Sequence, residues 1–183
     1  MGQTGELKTN LTAFSYQTMD FSKKSNYTGV TINCQGNVAP SLSLKGEFGI
    51  ATGFEAGNDL DIVVRGYGKH KYNNNLNQNI RLQAIGGEDY TSFQIRYSPF
   101  SCEFDLGKNF NAYGNIHYKG QFNTGKKNEG KTWVNSIGCF VGTTYKVNEN
   151  VSFSLEGERY NLQNFKDNNT KNWGVNAILN VRF

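Results

Sequence analysis

Hydrophobic and polar residues alternate along most of this chain. Leu42, Leu44, Gly46, Phe48, Ile50, Thr52 and Phe54 fall on one face of an extended segment, and Ser43, Lys45, Glu47, Gly49, Ala51 and Gly53 on the other. A period of two marks a half-buried strand, because successive side chains leave a strand in opposite directions. The same alternation sets Leu60, Ile62 and Val64 against Asp61, Arg65, Lys69 and Lys71. Further on, Ile80, Leu82 and Ala84 oppose Arg81 and Gln83, and Phe93, Ile95 and Tyr97 oppose Gln94, Arg96 and Ser98.

The second half is cleaner. Ala112, Gly114, Ile116, Tyr118 and Phe122 oppose Asn111, Asn115, His117, Lys119 and Gln121. Trp133, Ile137, Cys139, Val141 and Tyr145 oppose Ser136, Gly138, Gly142 and Thr144. Val151, Phe153 and Leu155 oppose Ser152, Ser154, Glu156 and Glu158. Last, Trp173, Val175, Ala177, Leu179 and Val181 oppose Gly174, Asn176, Asn180 and Arg182. A helix would put Phe153 and Leu155 on different faces, so the pattern excludes helix here.

Two places break the rule. Near Pro99-Phe100 the parity slips, since Tyr97, Phe104 and Leu106 all belong to the apolar face. One extra residue, as in a β-bulge, restores it, and proline is tolerated at bulges. Over 7–19 the two faces are poorly separated, which predicts a bulge or an irregular edge.

Turn signals divide the chain into about ten strands, near 7–19, 26–36, 41–55, 59–72, 78–87, 90–106, 110–122, 131–147, 150–161 and 172–183. An even number suits a closed antiparallel barrel of the bacterial membrane kind. Tight connections at Gly107-Lys108-Asn109 and Asn148-Glu149-Asn150 alternate with longer polar ones at 123–130 and 162–171. The expected fold is all-β: one antiparallel up-and-down transmembrane barrel occupying residues 1–183 as a single domain.

Composition agrees with strands. Aromatics make up 14% of the chain, glycines number 21 and prolines two. A mean hydropathy of −0.61 is compatible with a membrane barrel, because alternate residues face a polar interior. No run of 18 apolar residues offers a transmembrane helix. No apolar signal-peptide core is visible; if the protein is exported, this sequence is expected to be its mature form.

Alternation by itself leaves the direction of the apolar face open. A soluble barrel turns that face inward and a membrane barrel turns it outward. Three features favour the membrane. Tyr72, Tyr97, Tyr118, Phe122, Trp133, Tyr145 and Trp173 fall at or near expected strand ends, where amphipathic rings sit at the headgroup level. The polar face mixes both signs in Lys45, Glu47, Asp61, Arg65, Arg81, Arg96, Glu103, Asp105, His117, Lys119, Glu156, Glu158 and Arg182, which suits pairing across a narrow lumen. Gly49, Gly53, Gly138 and Gly142 lie among them and make room where long side chains converge.

The third feature is a resemblance. The chain stops on a strand ending Val181-Arg182-Phe183, and residues Tyr145 to Tyr160 form an aromatic, a short polar turn and an alternating strand. This resembles the terminal hairpin and strand of small Gram-negative outer-membrane barrels of the OmpA, OmpX and Opc kind, over about the last 75 residues. The resemblance implies a bacterial outer-membrane location, the lipid bilayer as surroundings, and recognition of Phe183 by the outer-membrane assembly machinery. It implies no particular activity.

Other chemistry is sparse. Gly125 to Thr132 matches the phosphate-loop pattern G-x-x-x-x-G-K-T, but the residues after it alternate as a strand where that chemistry requires a helix. Two histidines and the scattered Cys34, Cys102 and Cys139 make no metal site, and no cofactor motif is present. All three cysteines share apolar faces and read as small hydrophobic residues. A net charge of +4, with lysines gathered at 23–24, 126–131 and 166–171, reads as solvated loops that can touch anionic lipid headgroups. Nothing organises these lysines for nucleic acid. The leading expectation is a non-enzymatic outer-membrane barrel with a structural, adhesive or narrow-pore role. The opposing ones are a soluble barrel that binds an apolar small molecule, and a rim-active enzyme using His117 with Glu103 or Asp105.

Overall fold

The computed structural model describes residues 7–18, 27–52, 60–87, 90–125, 128–159, 162 and 173–182. The alternating segments form ten strands: β1 Lys8–Thr18, β2 Tyr27–Ala39, β3 Leu42–Thr52, β4 Leu60–Lys71, β5 Leu76–Gly86, β6 Tyr90–Gly107, β7 Phe110–Gly125, β8 Asn128–Lys146, β9 Val151–Arg159 and β10 Trp173–Arg182. Each pairs antiparallel with its chain neighbours. The sheet closes when β1 pairs with β10, from Asn10 opposite Arg182 to Thr18 opposite Gly174. Closure leaves no edge strand with unpaired backbone groups.

Four short connections lie at one end of the barrel, with Lys8 and Arg182 beside them. Two of the four use the same device. Asn73 Oδ1 accepts from the amides of Asn75 at 2.9 Å and Leu76 at 2.8 Å. Asn148 Oδ1 accepts from Asn150 and Val151, both at 2.8 Å. The side chain adds to the backbone bonds that already close each turn, from Tyr72 N to Leu76 O and from Val147 N to Val151 O, both at 2.9 Å. In the third, Gly107 takes a φ of 140°, where a Cβ would be strained, and its amide donates to Asp105 Oδ1 at 3.1 Å. Connections at the opposite end run through 19–26, 53–59, 88–89, 126–127 and 160–172, almost wholly outside the described residues.

The expected bulge is present. Tyr97 faces Tyr118 and Phe100 faces Ile116, so Ser98 and Pro99 oppose the single residue His117. Residues 8–16, in contrast, pair without a shift to β2, and residues 10–18 do so to β10. The poor separation of faces there is no irregularity of backbone. Phe14 points into the barrel and is 5% exposed, while Leu11 and Ala13 lie on the outer face. The expected loop at 123–130 is also shorter than its polar composition suggests, because pairing continues to Gly125 opposite Asn128. Strand, and no helix, follows Gly130, so the phosphate-loop pattern lacks its required setting.

The apolar face points outward. Phe48 and Ile32 are each 61% exposed and Val141 is 70% exposed, while Glu47, Asp61 and His117 are buried. Among the described residues the apolar core is only Phe14, Ala51, Val63 and Ile85, with Ile178 packed against it. Burying such side chains stabilises by about 1.5–3 kcal/mol each. Ordering the backbone opposes folding by about 1–2 kcal/mol per residue. A core of five side chains is therefore an order of magnitude too small to hold this barrel in water. The missing apolar burial has to come from a medium around the outside.

Candidate functional site in the lumen

Inward-facing residues arrange themselves in layers along the barrel axis. At the short-turn end a cavity of 680 Å³ opens between Lys8, Asn37, Ser43, Lys69 and Lys71 and reaches inward to Arg65, Arg81 and Arg96. Next comes a charged layer. Glu47 is the centre of one part: Lys45 Nζ lies 2.5 Å from Oε1 and Arg65 Nη1 lies 3.3 Å from Oε2, to which the Tyr67 hydroxyl also donates at 3.1 Å. Glu158 is the centre of the other. Its Oε1 is 2.7 Å from Arg96 Nη2 and 3.2 Å from His117 Nε2, although neither contact has hydrogen-bond alignment.

Beyond the charges, toward the opposite end, sits an apolar stopper of Phe14, Ala51, Val63, Ile85 and Ile178. The Arg65 guanidinium stacks over the Phe14 ring at 4.7 Å, so the two layers are tied together. A Cβ on Gly29 would lie 2.7 Å from Phe14 Cζ. Glycine at that position is what allows Phe14 to fill the bore. Amides border the stopper on the β5–β7 side. Gln94 donates to Gln121 at 3.3 Å, and Gln121 donates to Asn123 at 2.8 Å and to Ser92 at 3.2 Å.

The expected lumen residues divide between depth and rim. Lys45, Glu47, Asp61, Arg65, Arg81, Arg96, His117, Lys119, Glu156 and Glu158 lie on the inner face at depth. Glu103 pairs with Lys69 near the short-turn end. Asp105 and Arg182 are exposed at that rim. The two adjacent glutamates differ in their partners. Glu158 meets Arg96, whereas Glu156 accepts from the Tyr113 hydroxyl and the Asn176 amide, both at 2.9 Å. His117 is 1% exposed and sits against Asn115 and Glu158, far along the strand from Glu103 and Asp105. Gly138 lies beneath it, since a Cβ there would come within 2.7 Å of His117 Nε2.

The outer aromatics fall at several heights. Tyr72 is in a short turn, its hydroxyl donating to Gln78 at 2.5 Å. Tyr145 packs on Phe110 beside another turn, ring centroids 5.0 Å apart. Phe122 faces Trp133 toward the far end, and Trp173 opens β10 under the Arg159 guanidinium at 5.1 Å. Arg159 is the one formal charge on the described outer face of the strands. Tyr97 and Tyr118 face one another near mid-strand, away from the strand ends where the sequence puts them. Tyr118 stands eight residues from Phe110, about 20 Å along the axis at usual rise and tilt. That is close to the upper edge of an apolar band about 25 Å tall. The strand ends and the band edges differ because β6, β7 and β8 overshoot the band. Phe183 and the side chain of Lys131, with lysines 23, 24, 126, 127, 166 and 171, lie outside the described side chains.

The sequence pattern missed the stopper. Val63 and Ile85 sit inside the apolar runs Ile62-Val63-Val64 and Ala84-Ile85, where strict alternation already requires one member to face inward. That requirement is the available signal. Phe14 and Ile178 left weaker traces in the mixed faces of β1 and β10.

A closed antiparallel barrel with charges inside and apolar side chains outside defines a class, the β-barrel that has lipid as its solvent. No family model matches the chain, and no curated protein matches it by sequence. Solved structures similar to it are outer-membrane barrels. The N-terminal barrel domain of OprF from Pseudomonas aeruginosa is 12% identical, with 98% of this chain and 99% of that one covered and a TM-score of 0.41. The KdgM porin is 11% identical over 95% and 99%, with a TM-score of 0.46. The outer-membrane protease OmpT of Escherichia coli is 12% identical over 98% and 94%, with a TM-score of 0.40. At these values the likeness adds nothing to the architecture already described.

Proposed function

We propose that this protein is an integral outer-membrane barrel with a non-enzymatic, structural or adhesive role, its lumen closed by the Phe14 stopper. The observation that carries the membrane reading is the inverted polarity, with Phe48, Ile32 and Val141 outside and Glu47, Asp61 and His117 inside. Both described chain ends and the short turns lie on one side, which would face the periplasm, and the longer connections would face outward. The depth of His117 and its distance from Glu103 and Asp105 support a non-enzymatic role over rim catalysis. Phe183 would serve assembly, and the loop lysines would meet anionic headgroups.

Reconstitution tests this reading. The folded protein should require detergent or lipid, and its gel mobility should shift on boiling. In a planar bilayer the wild type should give no resolved conductance steps, and the double variant Phe14→Ala/Ile178→Ala should give them. A barrel that stays monomeric in plain buffer contradicts the location. A wild type that conducts as freely as the double variant contradicts the closed lumen and favours a pore.

A further inference from the structure

We propose that the cavity at the short-turn end is a binding site for a polyvalent oxyanion, held by Arg81 and Arg96 with Lys45 and Arg65 beside them. The first observation is register. Arg81 stands directly opposite Arg96 on the neighbouring strand, and Arg96 directly opposite Lys119 on the next. On the other side Arg81 faces Tyr67, which faces Lys45. Three cations on adjacent strands thus share one row and one face. Like charges directly opposite across a strand pair destabilise the sheet, and water-poor surroundings strengthen the repulsion.

The second observation is how the charges pair. Seven cationic side chains line the cavity, against two carboxylates. Glu47 serves both Lys45 and Arg65. Arg96 has Glu158, and Lys69 has Glu103. Glu156 is held by Tyr113 and Asn176. No carboxylate pairs with Arg81 among the described residues; its one hydrogen bond goes from Nη2 to Gln94 Oε1 at 2.5 Å.

The third is unmet donors. The Nε groups of Arg81 and of Arg96 are both buried without a hydrogen-bond acceptor. Buried guanidinium donors need acceptors, and an oxyanion presents several at the spacing a guanidinium matches. Both arginines line a cavity large enough for a small ligand. Its mouth carries Lys8 and Lys71, which would draw an anion inward. The stopper closes the far side, so a ligand entering from the short-turn end stops at the arginine row. The site stands on lumen geometry and does not depend on which membrane holds the barrel.

Calorimetric titration of the detergent-folded protein with inorganic pyrophosphate, at constant ionic strength set by sodium chloride, tests the site. Saturable binding of one pyrophosphate per barrel is expected. Arg81→Gln should weaken it at least about tenfold, Arg81→Lys, which keeps the charge and loses the guanidinium fork, should weaken it less than Arg81→Gln does, and Lys108→Gln, in an exposed turn outside the cavity, should change it less than twofold. Thermal unfolding separates binding from damage to the fold. Pyrophosphate should raise the melting temperature of the wild type and leave that of Arg81→Gln unmoved, while Arg81→Gln without ligand melts no lower than the wild type. Absence of saturable binding to the wild type, or equal weakening by Arg81→Gln and Lys108→Gln, overturns the proposal.

Discussion

Single residues decide what the inside of this barrel can hold. Glu47 is 5% exposed and neutralises two cations at once, Lys45 and Arg65, while also accepting from Tyr67. Removing it takes a shared counter-charge from Arg65, whose side chain is mostly buried, and from Lys45, which is partly exposed to the cavity. Such losses are among the most destabilising single changes, at about 3–5 kcal/mol. Glu47→Ala is therefore expected to lower stability by about 3 kcal/mol, read as a shift in the urea midpoint of the barrel folded in lipid vesicles. A loss under about 0.5 kcal/mol, as for an ordinary surface change, would show that water in the cavity already screens this cluster. The inward charges were legible in the sequence residue by residue, because each sits on the polar side of an alternating segment. Their partners were not. Partnership depends on register between strands, and alternation fixes a side chain's face without fixing what stands opposite.

At the level of elements, turn chemistry sets register. The two asparagine turns have nearly identical geometry, each with one side-chain oxygen accepting two backbone amides. Losing such an acceptor costs about 1 kcal/mol. Asn73→Ala and Asn148→Ala should each lower stability by that amount, additively in the double variant since the turns are separate. Unequal effects would mean that one turn is held by something besides its asparagine. Strand boundaries are largely legible in the sequence, within three residues at every end. Where expectation and structure part, composition misled. Polar residues at 123–130 suggested a loop, but outside the apolar band a strand can carry polar side chains on both faces, as β7 does at Asn123 and Thr124, and the pairing runs on to Gly125 opposite Asn128. In β1 the mixed faces suggested a bulge, and the cause is Phe14 filling the bore of a regular strand.

For the whole molecule, one inversion organises everything else: an apolar exterior, a charged lumen, and a stopper of five side chains that is far too small to be a folding core. The sequence favoured this orientation through its aromatics, its glycines among charges and its terminal strand, yet alternation alone was equally consistent with a dry interior. The arrangement of Val63, Ile85, Phe14 and Ile178 at one level was beyond reach, since it requires knowing how ten strands align. The surroundings of the exterior can be measured directly at Phe48, which is outward-facing and 61% exposed in the middle of β3. A Phe48→Trp variant, with Trp133 and Trp173 changed to Phe, places a single fluorophore there. Folded into vesicles whose acyl chains carry bromine, it should be strongly quenched by the lipid and hardly at all by aqueous acrylamide. Quenching by acrylamide with no response to brominated chains would contradict the account.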